Sequence, residues 1–101
     1  MITELVKMKT LDNIGHEEFL AIVNDLEVKF HSGQPGYIDS ELMFDERNNE
    51  YYMLQHWENI EDMKCASSKM FSEDITLAFR NALDPKQVKI ELFPQINAWC
   101  K

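Results

Sequence analysis

Twice within 101 residues the apolar pattern changes from a two-residue period to a three-and-four-residue period and back, and few architectures accommodate that alternation. Val6 and Met8 alternate with Leu5, Lys7 and Lys9. This predicts a strand within Ile2 to Leu11, because successive side chains of an extended chain point to opposite faces. From His16 to Ser32 the apolar residues fall at Phe19, Ile22, Val23, Leu26 and Phe30, a single helical stripe, with Glu18, Asn24, Asp25 and Lys29 opposite. Asn13 and Gly15 supply turn or cap chemistry before it, Glu17 and Glu18 put negative charge at its start, and Gly33, Pro35 and Gly36 end it.

Ile38, Ser40, Leu42 and Phe44 then alternate with Tyr37, Asp39, Glu41 and Met43, and Tyr51 to Trp57 repeats the strand spacing with aromatics. Between them, Asp45 to Asn49 has no apolar residue and favours a turn with positive backbone angles, so a hairpin is expected. Asn59 followed by Ile60, Glu61 and Asp62 marks a capped helix start, with Ile60, Met63, Ala66 and Met70 as its stripe. Ser72, Glu73 and Asp74 suggest a second cap, ahead of a seam of Ile75, Ala78, Phe79, Ala82 and Leu83. The region reads as one bent helix or two short ones, stopped at Asp84-Pro85. Val88, Ile90 and Leu92 alternate with Lys89 and Glu91 in a last strand closed by Pro94.

The order βαββαβ predicts a single α+β domain over residues 1–101, ferredoxin-like, with two helical segments on one face of a four-stranded antiparallel sheet. The helix-covered face is expected to carry Val6, Met8, Ile38, Leu42, Phe44, Val88, Ile90 and Leu92. The other face would hold Leu5, Tyr37, Met43, Phe93 and one of Tyr51 and Tyr52 among charges of both signs. A surface that apolar fits burial against a second sheet, and a domain this small gains from it, so a homodimer is expected.

Composition excludes several classes. Eighteen acidic against ten basic side chains leave a formal charge of −8, which repels nucleic-acid phosphates and anionic lipid. No apolar run approaches the roughly 20 residues that cross a bilayer. Met1 to Lys9 alternates instead of forming an apolar leader, and Cys65 and Cys100 make neither a metal spacing nor a disulfide framework. Neither nucleic acid nor membrane is expected as a partner, and a reduced, cytoplasmic protein is the simplest expectation. With three glycines, no phosphate-cradling loop or nucleotide fingerprint is present.

Three local patterns together resemble the antibiotic-biosynthesis-monooxygenase-like family of dimeric α/β-barrel proteins. They are Pro35-Gly36-Tyr37 leading into the second strand, His56-Trp57-Glu58-Asn59 before a capped helix, and Ser68 followed by Phe71. The resemblance spans nearly the whole chain. It implies a dimeric α/β barrel and, for some members, oxidation of aromatic or quinol-like molecules by dioxygen without metal or flavin, in a pocket between sheet and helices. Members commonly carry two histidines in the second helical region. Here Met70 takes the second position and Cys65 or Ala66 the first, so both are absent. The pattern of the haem-degrading branch is also unmet. There is no asparagine between Ile2 and Leu11, Cys65 or Ala66 replaces its tryptophan, and Asp74 to Thr76 offers no histidine. No cofactor is expected.

Trp57 has the flat face to stack on a planar substrate, although a strand-end core role, pinning the sheet to the following helix, is the commoner use of such a residue. His56, the acid–base candidate, must point to the opposite face from Trp57. These two are the catalytic candidates, and Tyr52, His56, Trp57, Met70 and Phe71 are the pocket candidates. His16 and His31, at a helix start and a helix end, lie too far apart in sequence to suggest a metal site, and Cys65 lies off the apolar stripe. Two readings of activity follow. One is a cofactor-independent monooxygenase-like enzyme for a small aromatic molecule; the other is a non-catalytic small-molecule binding or regulatory module on the same fold.

Overall fold

The computed structural model describes residues 1–101. Four strands, β1 (Ile2–Met8), β2 (Tyr37–Asp45), β3 (Glu50–Trp57) and β4 (Lys89–Pro94), form one antiparallel sheet in the order β2-β3-β1-β4. Helix α1 (His16–Lys29) connects β1 to β2, while α2 (Ile60–Met70) and α3 (Leu77–Ala82) lie between β3 and β4. The arrangement is α+β and ferredoxin-like. No helix is long and apolar enough to cross a membrane.

Local chemistry accounts for most boundaries. Asn59 caps α2, its Oδ1 accepting from the Asp62 amide at 2.8 Å, which satisfies one of the amides a helix start leaves unpaired. The hairpin between β2 and β3 contains Asn49 at φ 52°, and Asp45 accepts from the Arg47 amide and the Asn48 side chain. Ser72, Glu73 and Asp74 do not cap a helix by their side chains. Met70 ends α2, a 3₁₀ turn spans Asp74–Thr76, and α3 follows as a separate short helix. The fully buried Thr76 hydroxyl lies against the Met70 and Glu73 carbonyls, tying the end of α2 to the start of α3. Gly36 turns the chain at φ 78°, and a Cβ there would meet the Asp62 Cβ at 2.6 Å. Only glycine lets β2 begin that close to α2.

The helix-side core gathers Met8 from β1, Phe19, Val23, Leu26 and Phe30 from α1 and its end, Tyr51 and Met53 from β3, and Phe79 and Ala82 from α3. A smaller cluster of Trp57, Met63 and Ala66 seats α2 on the end of the sheet.

Two expectations about the sheet faces need correction. Tyr37, assigned to the uncovered face, lies on the helix side beside Trp57, because the pairing of β2 with β3 slips between Tyr37 and Asp39. Ile38 is the extra residue of this bulge and is 41% exposed. One inserted residue reverses the facing of everything on its far side. Secondly, the helices do not cover the whole face. Ile90 and Leu92 on the edge strand β4 remain open, since α3 has only six residues.

Candidate functional site

Alternation along β3 buries Tyr51, Met53, Gln55 and Trp57 on the helix side and turns Tyr52, Leu54 and His56 to the other. Between that buried row and helices α2 and α3 lies a cavity of about 450 Å³. Its walls are mostly apolar: Val6, Met53, Met70, Phe79, Val88 and Ile90. Phe71, 71% exposed, stands at its rim. The polar groups gather at the end nearest α1, where Glu4, His31, Gln55 and Trp57 meet, apart from Ser67 and Arg80 on the helix wall. Arg80 is held by Nε donating to the Thr76 hydroxyl at 3.1 Å and a terminal nitrogen donating to the Glu73 carbonyl at 3.2 Å.

The polar end holds two hydrogen-bonded groups side by side, touching through the His31 and Trp57 rings. Trp57 Nε1 donates to Glu4 Oε1 at 3.1 Å. Gln55 Nε2 donates to Glu27 Oε1 at 3.3 Å, and His31 Nδ1 lies 3.0 Å from Glu27 Oε2. The Gln55 amide and His31 Nδ1 approach each other at 3.3 Å, as two donors converging on one carboxylate do. The Tyr37 hydroxyl shares a 2.6 Å hydrogen bond with Ser40 and reaches Glu27 Oε2 at 3.5 Å. Aromatic rings clamp the imidazole: Tyr37 stacks on it at 5.8 Å, with Phe30 and Trp57 edge-on at 5.0 and 6.1 Å.

Burial of Glu4 pushes its carboxyl above the usual value of 4.5. The Trp57 hydrogen bond and the nearby His31 oppose that shift, and Glu27 adds to it. Burial likewise raises the Tyr37 hydroxyl, so this phenol stays a hydrogen-bond donor. The Glu4 shift has a consequence for stability. A carboxyl whose folded value is raised binds its proton more tightly in the native state, so stability is lost as pH rises from the unfolded value through the folded one. Glu4→Gln keeps an acceptor for Trp57 and removes the titration. The variant is expected to gain on the wild type in urea midpoint as pH rises above the ordinary carboxylate value, until the folded carboxyl has ionised as well. Parallel pH profiles for the two proteins would contradict it.

Of the residues singled out from sequence, Trp57, Met70 and Phe71 line this cavity. Tyr52 and His56 do not: strand alternation places them on the uncovered face, where His56 Nδ1 meets Asp39 Oδ1 at 2.6 Å. His16 lies at the other end of β3, its Nδ1 2.7 Å from the Tyr51 hydroxyl. Cys65 and Cys100 are exposed and unpaired. No three His, Cys, Asp or Glu side chains converge as metal ligands would. Sequence reasoning passed over Glu4, Glu27, His31, Gln55 and Arg80 as site residues. Two signals were present. Glu4 shares its strand face with Val6 and Met8, and Gln55 shares its face with Met53 and Trp57. Glu27 and His31 are four apart, one turn on a helix.

A sequence profile described as antibiotic biosynthesis monooxygenase matches residues 1–68. The chain belongs to that family. No curated protein sequence matches it. Among solved structures, a mutant of SnoaB, a cofactor-independent oxygenase from Streptomyces nogalater, superposes with a TM-score of 0.76 at 16% identity, covering 99% of this chain and 97% of that one. A conserved protein from Methanosarcina mazei Go1 gives 0.67 at 18% identity, covering 91% and 89%. A mutant of MhuD, with two manganese protoporphyrin IX bound per active site, gives 0.70 at 12% identity, covering 100% of both chains. At these identities the likeness is one of fold. The family pattern that the sequence resembled and the observed topology therefore agree, while the polar network at the cavity's end is described by this chain's own residues.

Proposed function

We propose that this member of the antibiotic biosynthesis monooxygenase family is a cofactor-independent monooxygenase for a small, flat aromatic molecule of the quinol or anthrone type. The observation that carries this reading is an apolar cavity whose hydrogen-bonded polar groups gather at one end. Such a cavity takes up a ring system against its apolar walls and holds its one ionisable group against fixed hydrogen-bonding partners. SnoaB, similar in fold, is a cofactor-independent oxygenase, which is consistent with this chemistry.

For a ring methylene the reaction balances without an external reductant. Two C–H bonds break, a C=O bond forms with one oxygen atom of O₂, and the other oxygen leaves as water. The substrate supplies all the electrons. The protein's part is to bind the ring between Trp57 and the Met70–Phe79 wall, and to favour its anion, the form that gives an electron to oxygen. The chain acts as a two-fold homodimer on this reading. Its support is the uncovered sheet face, where Leu5 lies cross-strand from Leu54 and Phe93 is 47% exposed.

Oxygen uptake with quinols and anthrones tests the activity. One O₂ consumed per substrate converted is expected. Ser67→Trp, which fills the cavity from α2, is expected to lower the rate by roughly tenfold or more by displacing the ring. Ligands that raise the unfolding temperature with no oxygen consumed would leave a binding module and overturn the oxidative reading. Full turnover by Ser67→Trp would move the chemistry out of this cavity.

A further inference from the structure

His31 is 4% exposed, yet its two ring nitrogens face different surroundings. Nδ1 lies 3.0 Å from the Glu27 carboxylate, which also collects the Gln55 amide and the Tyr37 hydroxyl. A carboxylate only accepts, and the 3.0 Å approach to Glu27 is shorter than the 3.3 Å approach of the Gln55 amide to the same Nδ1, so the neutral ring is assigned its proton on Nδ1 and its lone pair on Nε2. Nε2 makes no hydrogen bond within the chain. It is not sealed in either, because Gln34 Oε1 is the one buried side-chain polar atom without a partner. His31 lines the cavity, and Nε2 is the ring nitrogen left free for a ligand there. The same reasoning applies to the second oxygen of Glu4, whose Oε1 accepts from Trp57. The 3₁₀ turn His31–Gly33 fixes the backbone of the histidine, and the rings of Phe30, Tyr37 and Trp57 fix its plane.

We propose that His31 is the proton acceptor of this cavity, taking the proton of a phenol or enol on the bound aromatic ring at Nε2, and that Glu27 is the positioning residue that holds it in that tautomer. The assignment deepens the oxidative reading and rests on the same cavity. In the step, the ligand O–H bond breaks, the proton passes to Nε2, and the electron pair stays on the ligand oxygen as the anion. The imidazolium that forms lies against Glu27, which stabilises it as a charge-assisted pair. Glu4, held through Oε1 by the Trp57 indole, faces the same space from β1. The groups around the imidazole are thus Glu4 on β1, Glu27 on α1, Tyr37 on β2 and Gln55 on β3, with Arg80 on α3 lining the same cavity. The ligand class is an aromatic with an acidic hydroxyl, bound hydroxyl-first.

A nitrophenol reads proton transfer without oxidation, since its anion absorbs at longer wavelength than its neutral form. Bound to the wild-type protein, it is expected to ionise at a pH lower by about one unit, tenfold in the equilibrium. His31→Gln should abolish that shift while binding the neutral nitrophenol within a few-fold, and Glu27→Gln should retain part of it. The imidazole ¹⁵N spectrum of the wild type needs no variant, and it is expected to show His31 protonated at Nδ1. An Nε2–H tautomer, a nitrophenol bound with unshifted ionisation, or no binding at all overturns the assignment. Oxygen uptake separates the two readings. Shifted ionisation with no oxygen consumed sinks the oxidative reading and leaves His31 as the base. Oxygen uptake unchanged in His31→Gln does the reverse.

Discussion

Phe19→Ala is expected to destabilise the protein by about 3–5 kcal/mol, the range for emptying a buried aromatic site. Phe19 is fully buried on the inner stripe of α1, with its ring 4.5 Å from Tyr51 and 6.1 Å from Phe79. It therefore joins the helix to the sheet on one side and to α3 on the other. Deleting the ring leaves a void bounded by three elements that cannot all move into it. A domain of this length has roughly 5–15 kcal/mol in all, so this one change removes a large share. At about 4–8 °C for each kcal/mol, the melting temperature should fall by about 12 °C or more. Phe19→Leu keeps much of the volume and is expected to cost less. Urea unfolding followed by circular dichroism measures both. A Phe19→Ala loss below about 1 kcal/mol would mean that the core is not packed around this ring.

Leu54→Asp is expected to abolish the proposed homodimer while leaving the chain folded. On the uncovered face Leu54 lies between Leu5 of β1 and Glu41 of β2, near the middle of the sheet. The lysine–carboxylate pair of that face, Lys7–Glu91 at 3.0 Å, sits toward the β4 edge. In a two-fold pairing of the sheets, each partner would bury one introduced carboxylate, and the nearby Lys7 is already paired with Glu91. The penalty for burying an unpaired ion is several kcal/mol. Two such ions per dimer weaken association by roughly a thousandfold or more, at about 1.4 kcal/mol for each factor of ten. In a monomer the same side chain faces water, so its folding cost is small. Sedimentation equilibrium at micromolar concentration should give a dimer for the wild type and a monomer for the variant. A monomeric wild type, or a variant that still dimerises, would remove the sheet face as the interface.

The sequence by itself determined the order of elements, the α+β class and most facings within each element. Those properties are local. The parity of Val6 and Met8 follows from backbone geometry, the Asn59 cap from a side chain three residues from the amide it accepts, and the α1 stripe from about 3.6 residues per turn. The same parity correctly separates His56 from Trp57, although it cannot say which of them faces the helices. Tertiary structure decided that, and it sent Trp57 inward. It also decided the facing of Tyr37, because the bulge at Ile38 is a property of the pairing between β2 and β3 and has no period of its own. The candidate site lies further still from anything local. Glu4 and Trp57 are 53 residues apart and Gln55 and Glu27 are 28 apart; each pair meets only once β3 has paired with β1 and α1 has packed across both. A carboxyl on an apolar strand face reads, in sequence, as an isolated irregularity. Only the register that brings an indole N–H, an amide and an imidazole to the same end of one cavity makes it part of a site.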